Sequence, residues 1–264
     1  MEIAARTDKG KVRKHNEDRY YTHAPSGLIV VADGMGGHNA GEVASRMAVD
    51  VFRAWIESPD ARPQLSLRSD EPEAFSVLRH LLGQANRQIY DAARHNRAHT
   101  GMGTTLIAGW VQKNTLYFAH VGDSRLYRFR AGRLRQLTVD HSLVQELVSA
   151  GTLTLHAAQS DPRRYVVRRS VGIAPVVEVD LGQASLQSGD ILLACTDGLH
   201  DMVEHDTITA LLADNAEEPQ AACDALVEQA LDNGGSDNLT VVLVQIGAAS
   251  SAVPTVRPAD PEPT

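Results

Sequence analysis

Short strand-like runs joined by very short connections constrain the fold of this chain more than any other feature. Lys113-Asn114 and Ala131-Gly132 are two-residue connections of the length found in hairpins, which only antiparallel neighbours can use. Antiparallel sheet is therefore the predicted framework. The strand-like runs are residues 19–24, 27–33, 104–112, 115–122, 124–132, 133–138, 176–182, 190–198 and 238–247.

Helical periodicity occurs in five segments between and after these runs. Two long helices between early strands, and two more near the end, would cover the faces of the sheets. This arrangement predicts a layered α/β fold. The helical segments are residues 41–56, 73–95, 142–150, 205–212 and 220–231.

Length and charge restrict the class of protein. A chain of 264 residues that is 43% hydrophobic can bury one sizeable core. Its formal charge of -8 repels polyanions, so we expect no nucleic acid partner. The N-terminus has no signal-like apolar core, and no run approaches the roughly 18 apolar residues of a membrane span. With only two cysteines, a disulfide framework is not expected. These features predict a soluble cytoplasmic protein.

The composition changes after Ile246. The segment GAASSAVPTVRPADPEPT is rich in proline and alanine, and it cannot bury enough apolar area to order itself. We therefore expect residues 248–264 to form a disordered tail.

The stretch VVADGMGGHNAGEVAS, residues 30–45, has a carboxylate at the end of an apolar run. The run of residues 28–32 stops at Asp33, which predicts that a strand ends there. An Asp-Gly turn alone would account for this end. A phosphate-binding loop is a second interpretation, but the Gly-Lys-Ser/Thr ending of a P-loop is absent. The rest of the chain has to decide between them.

Further acidic sites lie at the boundaries of other apolar runs. Aspartate is unfavourable inside strands, and a charge near a core costs several kcal/mol unless it is paired or bound to a metal. If the strands neighbour one another, their ends converge, and we expect the carboxylates to meet. These sites are Asp123 in FAHVGDSR, Asp197 in LLACTDGL, Asp237 in GGSDNLTVVLV, and Glu17-Asp18 in RKHNEDRYY.

Converging Asp and Glu oxygens suit Mg²⁺ or Mn²⁺. A glycine after Asp33 and after Asp197 lets the backbone approach closely, so that the Gly34 carbonyl can join the ligands. Two such ions about 3.5–4 Å apart can lower the pKa of a shared water and aim it at phosphorus. The planar guanidinium of Arg13 can hold two phosphate oxygens. On this interpretation Asp33 ends its strand because that end faces the metals.

Six segments together resemble the bacterial branch of the protein phosphatase 2C family, the metal-dependent serine/threonine phosphatases. They are RKHNED, VVADGMGGHNAGEVAS, GMGTTL, HVGDSRLYRFRAGRLRQLTVDHS, LLACTDGLHDMV and GGSDNLTVVLV, in family order over residues 1–246. The resemblance implies a layered α/β (α+β) fold: a central sandwich of two antiparallel β-sheets flanked by helical layers, α-β-β-α. It also implies a catalytic domain over residues 1–247, with a mobile flap at about 141–170.

The resemblance assigns the direct ligands of two core Mn²⁺ or Mg²⁺ ions. Asp33 corresponds to the ligand that bridges both ions, and Gly34 corresponds to the residue that binds through its carbonyl. Asp197 and Asp237 correspond to the other direct ligands. All four lie in the quoted motifs.

The remaining site residues are also implied by the resemblance. Glu17 and Asp18 match positions that reach the metals mainly through water, and Arg13 matches the phosphate-binding arginine. Asp123 matches the residue that completes a third, weaker metal site with Asp197 in bacterial members.

Two segments depart from the family pattern. Eukaryotic members have a histidine, the proposed general acid, where this chain has Met35, so the proton donor is either His38 or a metal-bound water. The flap return SDPRRYVVRRSVG matches less well, which affects the handling of substrate rather than the metal chemistry. Its four arginines, Arg163, Arg164, Arg168 and Arg169, form either a salt-bridged surface or a contact for a phosphopeptide.

The implied function is hydrolysis of phosphoserine and phosphothreonine on proteins by a metal-activated water, which reverses serine/threonine kinase signalling. The implied partners are phosphoproteins and a cognate Hanks-type kinase, and we expect a monomer. A two-metal phosphodiesterase or nuclease would use the same carboxylates, but the net charge and the missing basic-aromatic groove disfavour it. A catalytically inactive phosphoprotein-binding module usually loses ligands, whereas every expected ligand is present here.

Overall fold

The computed structural model describes residues 1–36, 40–61, 65, 68 and 70–247. The candidate proton donor His38 and the predicted tail, residues 248–264, therefore lie outside the described residues.

Eleven strands within the described residues form two antiparallel sheets. One sheet has the strand order β1-β11-β10-β7-β8, and the other has the order β2-β3-β5-β6-β9, with β4 paired to β3. The strands are β1 Glu2–Asp8, β2 Asp18–His23, β3 Leu28–Met35, β4 Gly103–Thr104, β5 Leu106–Gln112, β6 Thr115–Val121, β7 Arg125–Arg130, β8 Arg133–Gln136, β9 Asp180–Ser185, β10 Ile191–Cys195 and β11 Leu239–Gln245.

The five helices that periodicity predicts are all present, with bounds that differ from the prediction by at most two residues. Two short helices, α4 and α5, are additional. The helices are α1 Ala40–Glu57, α2 Glu73–His95, α3 Leu143–Ser149, α4 Leu155–Ser160, α5 Asp197–His200, α6 His205–Asp214 and α7 Pro219–Asp232.

Alternation along the strands builds three apolar layers. In β3, Val30 packs into the core shared with α1 and α2, whereas Val31 packs between the two sheets. In β11, Val241 packs against α7 and Val242 faces the space between the sheets. Each inner strand thus has one face in the central core and the other under helices. The predicted α-β-β-α sandwich is confirmed.

Both hairpins predicted from two-residue connections are confirmed. Gln112 pairs with Thr115, and Arg130 pairs with Arg133. Ala131 and Gly132 both have positive φ, at 49° and 74°, as a type I′ turn requires.

Three details of the predicted strands were wrong. β1 was missed because its side chains are mostly small or polar, and pairing with β11 rather than its own pattern holds it. β9 begins at Asp180, so the apolar pair Val176-Val177 precedes the strand. β3 does not end at Asp33: β4 replaces β5 as its partner, and the strand continues to Met35.

Among the described residues, no helix has the length and apolar character needed to cross a membrane.

We expect Asn86 in α2 to be essential for stability. Its buried Oδ1 accepts from the buried Gly172 N–H at 2.7 Å, and its Nδ2 donates to the Ala174 carbonyl at 2.9 Å. Asn86→Ala leaves both backbone groups without these partners and should lower the free energy of unfolding by about 2 kcal/mol or more, measured in urea. Gln88→Ala, on the exposed face of α2, is the control; equal stability of the two variants would contradict the assignment.

Candidate metal centre

All of the predicted acidic residues except Asp18 line one cavity of about 590 Å³. Asp18 is fully buried and lies opposite Asp33 in the pairing of β2 with β3. The structure thus brings together every predicted site residue that it describes. Those that line the cavity are Arg13, Glu17, Asp33, Gly34, Asp123, Asp197 and Asp237.

Strand direction explains why these carboxylates converge. β3 and β6 both run antiparallel to β5, so their ends reach the same edge of the sheet. Asp33 lies near the end of β3, and Asp123 follows β6 by two residues. In the other sheet the end of β10 lies beside the start of β11, which places Asp197 near Asp237. One sheet therefore supplies Asp18, Asp33 and Asp123, and the other supplies Asp197 and Asp237, to the same end of the sandwich.

Two buried carboxylate oxygens have no hydrogen-bond partner among the described residues. Asp18 Oδ2 accepts from Thr196 Oγ1 at 2.8 Å and from Thr240 Oγ1 at 2.7 Å, whereas Asp18 Oδ1 has no partner. Asp197 Oδ1 is also buried without one. A buried oxygen without a donor is costly, and it is the ligand that a hard cation prefers. The residues present therefore fit a divalent metal site.

The carboxylates also perturb one another's acidity. Burial raises the pKa of Asp18 to about 7. Burial, and then the charge of Asp18, raises the pKa of Asp33 well above its ordinary value. Burial, and then Asp123, does the same for Asp197. Burial is also the main cause of the raised pKa of Asp123. Such shifts are expected where like charges share a dry site, and bound cations offset them.

Two glycines allow the backbone to pack closely beside the ligands. A Cβ on Gly34 would lie 2.1 Å from the Gly41 carbonyl oxygen, and a Cβ on Gly198 would lie 2.0 Å from that of Asn238. Any side chain at either position would push the ligand-bearing segments apart. The glycines after Asp33 and Asp197 are thus required sterically, as the sequence indicated.

Arg13 is the single basic side chain among the described residues that line the cavity. Its side chain is 55% exposed, and its Nη2 donates to Asp237 Oδ2 at 2.6 Å. The guanidinium therefore stands at the rim, against the carboxylates but open to solvent.

The predicted flap contributes Tyr165 and Val167 to the cavity. Three of its arginines form ion pairs: Arg163 with Asp161, Arg168 with Glu146, and Arg169 with Asp180 and Glu178. Arg164 instead lies over the Tyr165 ring, 4.3 Å from its centroid, and also bonds the Tyr165 hydroxyl. The salt-bridged interpretation thus describes three of the four arginines.

Asp123 is not the partner of nearby Arg125. Arg125 forms a bidentate pair with Asp140, with Nη2 to Oδ2 at 2.7 Å and Nε to Oδ1 at 3.1 Å. No described side chain donates a hydrogen bond to the Asp123 carboxylate. An ion-pairing role at the strand end therefore does not explain this aspartate.

Sequence reasoning missed the polar residues that hold the ligand segments together. Asn238 Oδ1 accepts from the Glu17 N–H at 2.8 Å, and its Nδ2 donates to the carbonyls of Lys9 and His15. Thr105 Oγ1 accepts from the Asp33 N–H at 3.0 Å and bonds Ser124 Oγ at 2.7 Å. Their presence inside the quoted motifs was the signal that could have identified them.

A cluster of partly buried carboxylates at one end of a β-sandwich, with one arginine at its rim, is the site of a metal-dependent enzyme that acts on phosphate esters. The sequence model described as Protein phosphatase 2C matches residues 9–234. The chain therefore belongs to the protein phosphatase 2C family, as the six segments indicated.

Individual relatives agree with this assignment. The chain is similar to the serine/threonine phosphatase stp of Listeria welshimeri, with 39% identity over 93% of this chain and 96% of that one. The serine/threonine phosphatase of S. agalactiae superposes with a TM-score of 0.82 at 38% identity, covering 93% and 99%. The catalytic domain of the phosphatase PstP, solved in complex with two manganese ions, superposes with a TM-score of 0.78 at 36% identity, covering 93% and 98%.

Asp18→Asn should stabilise the metal-free protein while weakening its metal binding. The Asp18 carboxyl has a pKa of about 7 in the folded chain, above its ordinary value of 3.8, so at pH values between these two Asp18 takes up a proton when the chain folds. The free energy of unfolding of the metal-free protein therefore falls as the pH rises from 3.8 to about 7. At pH 8 the neutral amide of Asp18→Asn should raise the Tm of the metal-free protein above that of the parent. The expected rise is about 3 °C for each kcal/mol gained in the free energy of unfolding. The rise in Tm on adding Mn²⁺ should shrink.

Differential scanning fluorimetry with and without Mn²⁺ measures both effects. Asp214→Asn, at an exposed carboxylate in α6, is the control. A metal-free Tm at pH 8 that is unchanged or lower in Asp18→Asn, relative to the parent, would contradict the prediction.

Proposed function

We propose that this chain hydrolyses phosphoserine and phosphothreonine in proteins, with Mn²⁺ or Mg²⁺ as its cofactor, and so reverses the action of serine/threonine kinases. The observation that carries the proposal is the cavity in which aspartates from both sheets converge, with buried oxygens that lack hydrogen-bond donors. Membership of the protein phosphatase 2C family supports the choice of phosphoproteins as the substrate class.

Each ligand has a proposed role. Asp33 would be the ligand shared by two core ions, Gly34 would contribute its carbonyl, and Asp197 and Asp237 from the other sheet would be the other direct ligands. When bound, the ions supply a water of lowered pKa as the nucleophile and polarise the phosphate. The buried oxygens of Asp18 and Asp197 and the glycine packing at Gly34 support this ligand set.

The remaining residues orient these ligands and the substrate. Glu17 and Asp18 reach the core ions through water, with Asp18 held by Thr196 and Thr240. Arg13, exposed at the rim, turns its guanidinium from Asp237 to the substrate phosphate, where it can hold two oxygens. Tyr165 and Val167 of the flap form the wall against which the substrate chain lies.

Asp123 is proposed to serve the leaving group. Met35, which lines the cavity, has no proton to give. Asp123 lines the same cavity, is almost fully buried, and is not engaged by Arg125. With Asp197 it would complete a third, weaker metal site close to the oxygen that departs. His38 remains an alternative donor.

The cellular setting is also a proposal. We infer a catalytic domain spanning residues 1–247, with the flap at about 141–170, that acts in the cytoplasm as a monomer opposite a Hanks-type kinase. Both cysteines, Cys195 and Cys223, are buried and unpaired, in agreement with a reducing compartment. The family model covers 9–234 of the proposed domain.

Asp33→Asn provides the test of function. The parent should dephosphorylate a phosphothreonine peptide with Mn²⁺ and lose this activity with chelator, and the variant should be inactive because a ligand shared by two ions has lost its charge. Calorimetry should show weakened binding at both core sites. Parent cleavage of single-stranded DNA in place of the peptide would support a nuclease, and tight peptide binding without turnover would support an inactive binding module.

Asp123→Ala tests the assignment of the leaving-group residue. The variant should keep the fold and both core metals but lose most of its kcat on phosphopeptides. The loss should be smaller on aryl phosphates, whose leaving groups need little protonation. The measurement is kcat for a series of aryl phosphates at saturating Mn²⁺, plotted against leaving-group pKa, with exposed Asp214→Ala as the control. A steeper slope in Asp123→Ala supports the role, whereas parallel lines reject it.

A further inference from the structure

Three polar side chains, Arg169, Asp180 and His141, form a cluster at the base of the flap, in which Arg169 Nη1 also lies 3.1 Å from His141 Nε2. Arg169, on the flap return, donates from Nη1 to Asp180 Oδ1 at 2.6 Å. The other oxygen of Asp180, Oδ2, lies 3.3 Å from His141 Nε2, at the start of the flap. His141 is only 8% exposed. The two ends of the flap are thus joined through one carboxylate at the start of β9.

His141 also bonds both backbone groups of Gly122. The backbone N–H of His141 donates to the Gly122 carbonyl at 2.9 Å, and the ring Nδ1 of His141 accepts from the Gly122 N–H at 3.1 Å. Gly122 immediately precedes Asp123, so the chain from Arg169 ends at the peptide that carries the proposed leaving-group residue.

The hydrogen bonds assign one tautomer to His141. Because Nδ1 accepts from a backbone N–H, a neutral ring carries its hydrogen on Nε2, which lies 3.3 Å from Asp180 Oδ2 and 3.1 Å from Arg169 Nη1. Burial, and then His120 and Arg169, lowers the pKa of His141 and keeps the ring neutral. A neutral ring with this tautomer is the form that can receive the Gly122 N–H.

The backbone sets the direction of Asp123, because no described side chain donates to its carboxylate. Gly122 has φ of 110°, and a Cβ there would lie 2.6 Å from the side chain of Thr105. Thr105 in turn bonds Ser124 and the Asp33 N–H. A rotation of the 122–123 peptide would therefore move Asp123 relative to Asp33.

A metal site at this position is the competing interpretation, since His120, His141 and Asp180 offer ligand atoms within 4.8 Å of one another. However, the two imidazole rings stack at 4.6 Å with an angle of 20°, so the lone pairs in their planes do not converge on one ion. Arg169 already supplies the positive charge beside Asp180. The cluster is better described as a network that holds the backbone.

We propose that His141 is a positioning residue: the chain Arg169–Asp180–His141–Gly122 fixes the direction of Asp123 and couples it to the base of the flap. The inference rests on the proposed function, because it gives His141 a purpose only if Asp123 acts in turnover. The hydrogen bond from Gly122 to His141 can nevertheless be tested without metal or substrate.

Four variants separate the links of this chain. His141→Ala removes the acceptor of the Gly122 N–H, whereas His141→Asn retains an acceptor at a similar distance but cannot reach Asp180. Arg169→Ala removes the flap end of the chain. Arg168→Ala is the matched control, because the neighbouring Arg168 pairs only with the exposed Glu146.

The first readout is hydrogen exchange of the Gly122 amide in the metal-free proteins, measured by NMR. We expect exchange about tenfold faster in His141→Ala, the change that loss of a hydrogen bond worth about 1.4 kcal/mol produces. His141→Asn should restore much of the protection, and Arg168→Ala should not change it. The second readout is Mn²⁺ calorimetry, in which His141→Ala and Arg169→Ala should weaken only the third, weakest site, about tenfold or more. The third is steady-state kinetics on a phosphopeptide, in which kcat should fall while KM stays close to that of the parent.

Unchanged Gly122 exchange and an unchanged weak Mn²⁺ site in folded His141→Ala would overturn the proposal. Equal weakening of all three Mn²⁺ sites would also overturn it, because that result indicates general loosening of the fold. If His141→Ala does not fold, His141→Asn and Arg169→Ala decide by the same readouts. A parent protein without phosphatase activity would refute the proposed function, and it would leave the exchange result to report on the His141–Gly122 bond alone.

Discussion

The burial of several carboxylates side by side at one end of the sandwich is the constraint on which the rest of the structure depends. Asp18, Asp33 and Asp197 lie in a setting that raises the pKa of each, chiefly through burial. Burying several charged carboxylates together costs free energy, and bound divalent cations offset that cost most directly. The remaining features of the site either hold these groups in place or bring a phosphate to them.

Core packing on both faces fixes two strands at the site, β3 with Asp33 and β11 next to Asp237. β3 and β11 each have one face between the sheets and one face under helices. Hydrogen bonds then hold the segments beyond the strands. Asn238 bonds the backbone of the N-terminal loop, and Thr105 bonds both the Asp33 N–H and Ser124 Oγ. The ligand positions are therefore set by backbones that packing already fixes, which is the condition for a preorganised metal site.

Positive charge around the cavity is distributed unevenly. Arg163, Arg168 and Arg169 pair with carboxylates of the flap and its base, whereas Arg13 pairs with Asp237 at the rim of the cavity. The flap is thus tied by ion pairs to its own neighbours, while its Tyr165 and Val167 reach the cavity. The carboxylates that line the cavity all lie outside residues 141–170, within or next to strands of the two sheets.

The sequence by itself determined the layered antiparallel fold, the five main helices and which acidic residues would lie close together. Hairpin connections, periodicity and aspartates at strand boundaries are local signals, and local signals survive in a one-dimensional pattern. Prediction from the sequence failed at β1, whose small and polar residues form a strand only because β11 lies beside them. It also failed at the end of β3, because pairing with β4 extends that strand past Asp33. Only the tertiary structure decided that Asp140, not Asp123, pairs with Arg125, that Asp18 and Asp197 each keep a buried oxygen without a donor, and that His141 bonds Gly122. Those contacts join residues far apart in the chain, and their distances follow from how two sheets and a flap pack together, which no spacing in the sequence records.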